Sequence, residues 1–346
     1  MKLAVWFSLA ALCAQEPQFG VRARLVLVPT TVTDAIGRPV YNLATADFLL
    51  LDDQRERTIA VDTLDTGVAP IALVIAVQSS GISASILEKV RKIGAMLQPL
   101  VTGERGCAAL VTFAESVTWL QECTNDANAL ERAFRSIESG KYKKAIMLDA
   151  VSEAIERLRK RENTRRVVLL ISESRDRSSQ TTLENVIQAA ESADVTIYAA
   201  TYSLAKAAFT SQSRVGEPPP PPHAQTPSEA MKTPNGQPPT KYNPPILPTA
   251  QRASISSGIA ELLRLHGANT THALALVTGG TAFPFTRQKG LEEAIGKLGA
   301  ELHSQYILSF VPEGSAPGYH NLSVLVRGRE YHIRARPGYW LPGESQ

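Results

Sequence analysis

The sequence predicts an α/β protein, a mostly parallel sheet covered by helices on both faces and set into a small β-sandwich. Three observations carry this reading. Continuous apolar runs at 71–77, 167–172 and 195–201 mark strands buried on both faces. Segments with apolar residues at helical spacing alternate with those runs. Short β-rich segments without helical period stand at both ends, within 22–64 and 306–336. A chain of 346 residues exceeds one ordinary domain. With 36 basic and 33 acidic residues, its net charge of +3 does not advertise nucleic-acid binding. Three cysteines are too few for a disulfide scaffold or a Cys-rich zinc module.

The chain opens on Met1-Lys2, an apolar run over 3–12 and Cys13-Ala14, which reads as a secretory signal peptide of residues 1–14 and an exported, periplasmic or secreted protein. The run is too short for a stable transmembrane span. Residues 22–28, 48–51 and 58–64 read as strands. Asp34-Ala35-Ile36-Gly37-Arg38-Pro39 is turn chemistry, and Asp52 with Asp53 reads as a solvated turn. After the apolar strand at 71–77, Ile86, Val90, Ile93, Leu97 and Leu100 predict one helix. Residues 107–113 and 117–123 form a hairpin, 126–137 and 145–159 are helical, and the 167–172 strand, a helix over 183–192 and the 195–201 strand follow. Residues 216–248 hold 12 of the 22 prolines, five of them consecutive, and read as a disordered surface insertion. Helical patterns resume at 257–265 and 272–277, a strand follows at 281–285, a helix at 291–303, and strands at 306–311, 321–327 and 331–336 close the chain.

A hairpin centred on Glu115 pairs Phe113 with Val117 and, in the same register, Cys107 with Cys123. Exported, the two could oxidise to a disulfide; two buried thiols are the alternative, and the sequence leaves both open.

The segment Val32-Thr33-Asp34-Ala35-Ile36-Gly37-Arg38-Pro39-Val40, followed by Leu43 and Asp47-Phe48, carries a resemblance. So do Gly103-Glu104-Arg105, Thr278-Gly279-Gly280-Thr281-Ala282-Phe283, Leu302-His303-Ser304-Gln305-Tyr306 and Arg336-Pro337-Gly338-Tyr339. In their order these resemble the exported VWFA-related domain proteins, a von Willebrand factor type A family. The resemblance implies a Rossmann-like von Willebrand factor A domain over 67–303, inserted into an Ig-like β-sandwich built from 20–66 and 304–342.

It also implies a metal-ion-dependent adhesion site at the strand ends, where open α/β sheets bind ligands. The family pattern is D-x-S-x-S after the first strand, a Thr on a middle loop and an Asp after a later strand, oxygen ligands suited to Mg²⁺. Here Gln78 replaces the Asp, Ser80 keeps its hydroxyl, Ile82 replaces the second Ser, Ala145 replaces the Thr and Glu173 replaces the last Asp. The expectation is a degenerate site with no metal and no cofactor. Lys141, Tyr142, Lys143 and Lys144 on the loop that lost the Thr, with Arg175 and Arg177 beyond Glu173, make a basic rim that suits an unidentified protein partner with an acidic surface.

Catalytic patterns are fragmentary. Gly81-Ile82-Ser83-Ala84-Ser85 lacks the last glycine of a nucleophile elbow, and Ser203-Leu204-Ala205-Lys206 fits S-x-x-K without its companion motifs. His266 and His272 lack metal-ligand spacing, and Gly140-Lys141 lacks the rest of a phosphate-binding loop. The expected function is therefore non-catalytic protein binding, with a metal-dependent adhesion module and a hydrolase as rival readings.

Overall fold

A computed structural model describes residues 25–62, 69–97, 103, 105–141, 143–176, 178–202, 269–312, 314, 316–328 and 330–341. The signal peptide, the proline-rich stretch, Ser203, Lys206, His266 and the 257–265 helix expected from sequence lie outside them, as do Tyr142 and Arg177. Among the described residues no helix is long and apolar enough to cross a membrane.

The α/β layer is a six-stranded sheet. Its strands are β5 (Ile71–Gln78), β6 (Cys107–Phe113), β7 (Val117–Thr124), β8 (Arg165–Ser172), β9 (Val195–Tyr202) and β10 (Ala282–Phe285), in the order β10-β9-β8-β5-β6-β7. All neighbours are parallel except β7, which returns antiparallel along β6 at the edge. Every residue of β5 is buried, as its unbroken apolar run requires of a central strand. Its side chains split by the two-residue period. Leu73, Ile75 and Val77 join one core with α1 (Ala84–Val90), α2 (Gly94–Leu97), α3 (Ala127–Arg135) and α7 (Gln288–Ser304). Ala72, Val74 and Ala76 face the other, under α4 (Met147–Arg159), α5 (Leu183–Ser192) and α6 (Thr270–Val277). The doubly covered, mostly parallel sheet expected from the sequence is the observed one.

The single helix expected from Ile86 to Leu100 is broken into α1 and α2 by a turn at 91–93. Close packing explains the break. A methyl group on Gly94 would meet the Phe134 Cβ at 3.0 Å, so α2 restarts where it must approach α3 most closely. Gly280 is tighter still, since a Cβ there would lie 2.0 Å from the Ile197 carbonyl oxygen. That contact gives the Thr278-Gly279-Gly280 landmark a physical reason. Thr278 completes it by accepting the Ile197 N–H at 2.9 Å.

The remaining strands form two four-stranded sheets, β13-β1-β11-β4 and β14-β12-β2-β3. They comprise β1 (Val26–Thr33), β2 (Phe48–Asp52), β3 (Arg55–Glu56), β4 (Ala60–Asp62), β11 (Tyr306–Phe310), β12 (Gly318–Val326), β13 (His332–Arg334) and β14 (Gly338–Leu341). Both ends of the chain contribute to each sheet, and their shared core contains Val28, Phe48, Leu50, Leu308, Phe310 and Tyr339. The first strand, expected over 22–28, runs on to Thr33, because β1 pairs with β11 up to Thr30 and then with β13 up to Thr33, while residues 22–24 lie outside the described residues. The Pro337-Gly338-Tyr339 landmark runs into a strand of its own, β14, that the sequence pattern left out. Asp52 is not a solvated turn residue. It is 1% exposed, paired with Arg57 at 2.8 Å, and closes β2.

A polar seam joins the two layers. Arg165, buried at the start of β8, donates to the Leu302 carbonyl and to Gln305 Oε1, each at 2.7 Å. Gln305 Nε2 donates to the Tyr198 hydroxyl at 2.9 Å and to Thr31 Oγ1 at 3.3 Å. Tyr198 donates to Glu301 at 2.7 Å, and Arg334 pairs with the same carboxylate at 2.5 Å. Buried donors and acceptors here satisfy one another, as a low-dielectric interior demands.

Candidate functional site

The strand-end face is built by three loops. Gln78 closes β5, and Ser79 and Ser80 lead into a 3₁₀ turn over Gly81–Ser83 that also contains Ile82. Glu173 follows β8, the parallel neighbour of β5. The loop before α4 lies over the ends of β5 and β6, held by a Gly140 N–H to Ser79 carbonyl bond of 2.6 Å and an Ile146 N–H to Ala114 carbonyl bond of 3.0 Å.

Gln78, Ser80, Ser83, Ala145 and Glu173 are all buried at this face. The Gln78 amide nitrogen donates to Ser80 Oγ at 3.0 Å and to Glu173 Oε2 at 3.3 Å, and its Oε1 accepts the Glu173 N–H at 3.0 Å. The opposite amide orientation would set oxygen against carboxylate and nitrogen against N–H, so the network fixes one orientation. Ser80 Oγ then meets Ser83 Oγ at 3.3 Å, and Ser83 Oγ meets the Tyr202 hydroxyl at 2.7 Å. The structure thus brings Gln78, Ser80 and Glu173 together and adds Ser83 and Tyr202, which sequence reasoning did not place there.

As a donor set for Mg²⁺ these residues do not fit. A hard cation needs near-octahedral oxygen ligands with carboxylate charge at hand. Here an amide NH₂ occupies the hydrogen-bonding positions of the hydroxyl and the carboxylate, and position 145 is a buried methyl group.

Two aspartates tie the loops together. Asp176 Oδ1 accepts the Met147 N–H at 2.9 Å and the Leu148 N–H at 3.2 Å, so it satisfies orphan donors at the start of α4. Asp149 reaches back to the Thr181 and Gln180 N–H groups at 2.8 and 3.0 Å. Burial pushes the Asp149 carboxyl up, but the hydrogen bonds from Thr181 and Gln180 outweigh it and hold the group below the usual carboxylate range. The only sequence signal for this clamp is a pair of aspartates, one in the first turn of a helix and one on the facing loop. Above it Lys141, Lys143, Lys144 and Arg175 are exposed.

Cys107 and Cys123 form a disulfide, with Cα atoms 5.3 Å apart. The register behind them differs from the simple one. Phe113↔Val117 and Val111↔Trp119 follow the expected pairing, but the ladder slips to Leu110↔Gln121 and again to Ala108↔Thr124. Bulges in β7, not direct opposition, bring the two sulfurs together.

This strand order, with one antiparallel edge strand and helices on both faces, defines a Rossmann-like α/β domain. Among solved structures the chain is similar to the conserved hypothetical protein BatB from Bacteroides thetaiotaomicron, at 14% identity and TM-score 0.39 over 66% of this chain and 99% of that one. It is also similar to an aerotolerance-related membrane protein from Bacteroides fragilis NCTC 9343, at 14% identity and TM-score 0.40 over 67% and 99%. The SpRpn10 VWA domain is similar at 17% identity and TM-score 0.31 over 39% and 76%. No family model matches the sequence, and no curated protein matches it.

Proposed function

We propose that the chain is a non-catalytic, extracytoplasmic protein-binding module of the adhesion type, which meets its partner at the strand-end face without a cation. The observation that carries this reading is the Gln78 amide, hydrogen-bonded to both Ser80 and Glu173. A neutral donor holds together the groups that a cation would otherwise gather. What a cation would offer a partner carboxylate falls instead to the exposed Lys141, Lys143, Lys144 and Arg175. Tyr142 and Arg177 belong to the same rim by their place in sequence. Such a rim steers an acidic surface through a field that salt screens over about 8 Å at physiological ionic strength.

The metal-dependent rival draws support from one feature, the convergence of Ser80 and Glu173 on a single point. A hydrolase draws none from Ser83, whose hydroxyl faces Tyr202 and Ser80.

The test reverses charge at the rim. Lys143→Glu with Lys144→Glu in the full chain should cut capture of an acidic partner from an envelope extract by about tenfold in chelator, equivalent to about 1.4 kcal/mol. Undiminished capture, insensitive to raised salt, overturns the assignment of this face. One-to-one Mg²⁺ binding lost in Ser80→Ala would favour the metal-dependent reading instead.

A further inference from the structure

The layer of two sheets carries a second cluster of titratable groups, at the turn that joins β2 to β3. Asp53 and Gln54 both hold positive φ, 47° and 69°, the backbone of a two-residue hairpin turn. β12 runs beside β2 and sets His320 against this turn. One oxygen from Asp52, one from Asp53 and one ring nitrogen of His320 all lie within 4.8 Å of one another.

The hydrogen bonds around the cluster are unevenly distributed. Asp52 Oδ2 takes Arg57 Nε at 3.0 Å, Arg57 Nη2 at 2.8 Å and the Tyr339 hydroxyl at 3.3 Å. Oδ1 of the same carboxylate is buried and has no hydrogen-bond partner among the described residues. A buried carboxylate oxygen left without a partner calls for a physical reason. His320 is equally constrained. Its Nε2 lies 2.7 Å from the Ala316 carbonyl oxygen, which can only accept, so Nε2 carries a proton. Its ring stacks on Tyr339 with centroids 5.1 Å apart. Nδ1 then points at Asp53 Oδ2, 2.8 Å away.

We propose that Asp52, Asp53 and His320 form a three-ligand site for a borderline divalent cation of the Zn²⁺ class. The ligand set is one imidazole nitrogen and two carboxylate oxygens, which suits Zn²⁺ and disfavours Mg²⁺ or Ca²⁺. Bonds of about 2.0–2.2 Å around a tetrahedral ion put neighbouring ligand atoms roughly 3.3 Å apart. Around such an ion the 2.8 Å between Nδ1 and Asp53 Oδ2 opens by about half an ångström, and the Asp52 oxygen, within 4.8 Å of both, closes on the ion. The Ala316 carbonyl is the outer partner that fixes the tautomer of a metal-binding histidine. Asp53, 47% exposed in its side chain, is the way in and leaves the fourth position to water. A plain Asp53–His320 ion pair accounts for the Nδ1 contact but leaves Asp52 Oδ1 unexplained; a cation held through that oxygen accounts for both.

The experiment uses the full chain, stripped with chelator and titrated with Zn²⁺ by calorimetry, and with Co²⁺ by visible absorption. The expected result is one equivalent bound, with d–d bands of a low-coordinate site that Zn²⁺ displaces. Asp53→Asn keeps an acceptor for the Asn321 N–H and a half-exposed side chain, so the turn should survive. It should weaken Zn²⁺ binding by at least about tenfold, and His320→Gln should do the same. Absence of binding at about 100 µM Zn²⁺, a level at which a genuine three-ligand site would be filled, overturns the proposal. So does binding unchanged in both variants, which places the metal elsewhere in the chain.

Discussion

The two layers of this molecule are assembled by opposite rules. In the α/β layer β5, β6, β7 and β8 are each followed along the chain by the helix or hairpin strand that covers or extends them, and β6, β7 and β9 each pair with the strand just before them. In the other layer β1 pairs with β11 and β13 across most of the chain length, and β2 pairs with β12. The first kind of region is specified by local pattern; the second is specified only when both ends are present. Loop-closure entropy rises slowly with length, so distant pairing costs little in stability, but it leaves neither end stable alone.

Legibility followed the same division. Residues 71–77, 167–172 and 195–201 were readable as strands because a strand buried on both faces is dominated by apolar residues, with Thr196 the one polar break inside these runs, and the observed bounds differ by two residues or fewer. The far end of the first strand was missed because Thr31–Thr33 of β1 are specified by β13, a partner three hundred residues away. Asp52 looked solvated because nothing local announces Arg57 and Tyr339 converging on it. At the candidate site the identities of Gln78, Ala145 and Glu173 were plain. That the Gln78 amide would bridge Ser80 and Glu173 was not, since a glutamine gives no sign of which way it will turn.

The largest expected effect severs the distant pairings. A chain ending at Ser304 lacks β11 to β14, so β1 and β4 lose every strand neighbour and β2 keeps only β3. Residues 25–62 should then be cut by protease at concentrations that leave the full chain intact, while the six-stranded sheet keeps its protection, as mapped by mass spectrometry. Equal resistance of residues 25–62 in both chains would mean that the N-terminal strands hold a core of their own.

A smaller effect tests the seam. Glu191 of α5 is buried, and among the described residues neither of its carboxyl oxygens has a hydrogen-bond partner. Burial pushes its pKa up to about 8, against a lesser opposing pull from Arg336. Unfolded, the group titrates near its ordinary 4.5, so between these values the folded state holds one proton more. Stability therefore falls as pH rises from about 4.5 to about 8 and is flat beyond, by up to about 3 kcal/mol at pH 7. Glu191→Gln should remove that slope, raising the unfolding midpoint at pH 8 and leaving it unchanged at pH 4.5. Parallel pH profiles for the two proteins would show that Glu191 is solvated and that the seam is looser than its packing implies.

The smallest effect lies at the edge of the α/β layer, where local pattern fails it. β7 keeps simple register with β6 only from Val117 to Trp119, and then slips twice before Thr124. The regular half has its own anchor, since Trp119 Nε1 donates to Glu153 of α4 and the Arg157 guanidinium lies 3.7 Å from the Trp119 ring centroid. The bulged half has fewer ladder bonds and is tied by the Cys107–Cys123 disulfide. A cross-link over 16 residues restricts an open chain by about 3 kcal/mol, but a hairpin already closed at Ala114–Ser116 forfeits most of that. Reduction should therefore cost only about 1 kcal/mol in global stability. Its signature should be local, with faster amide exchange at Gln121–Thr124 and at the start of α3 and no change at Val117–Trp119. Exchange rising evenly along β7 would mean that Trp119 is no anchor and that the disulfide holds the whole edge strand in place.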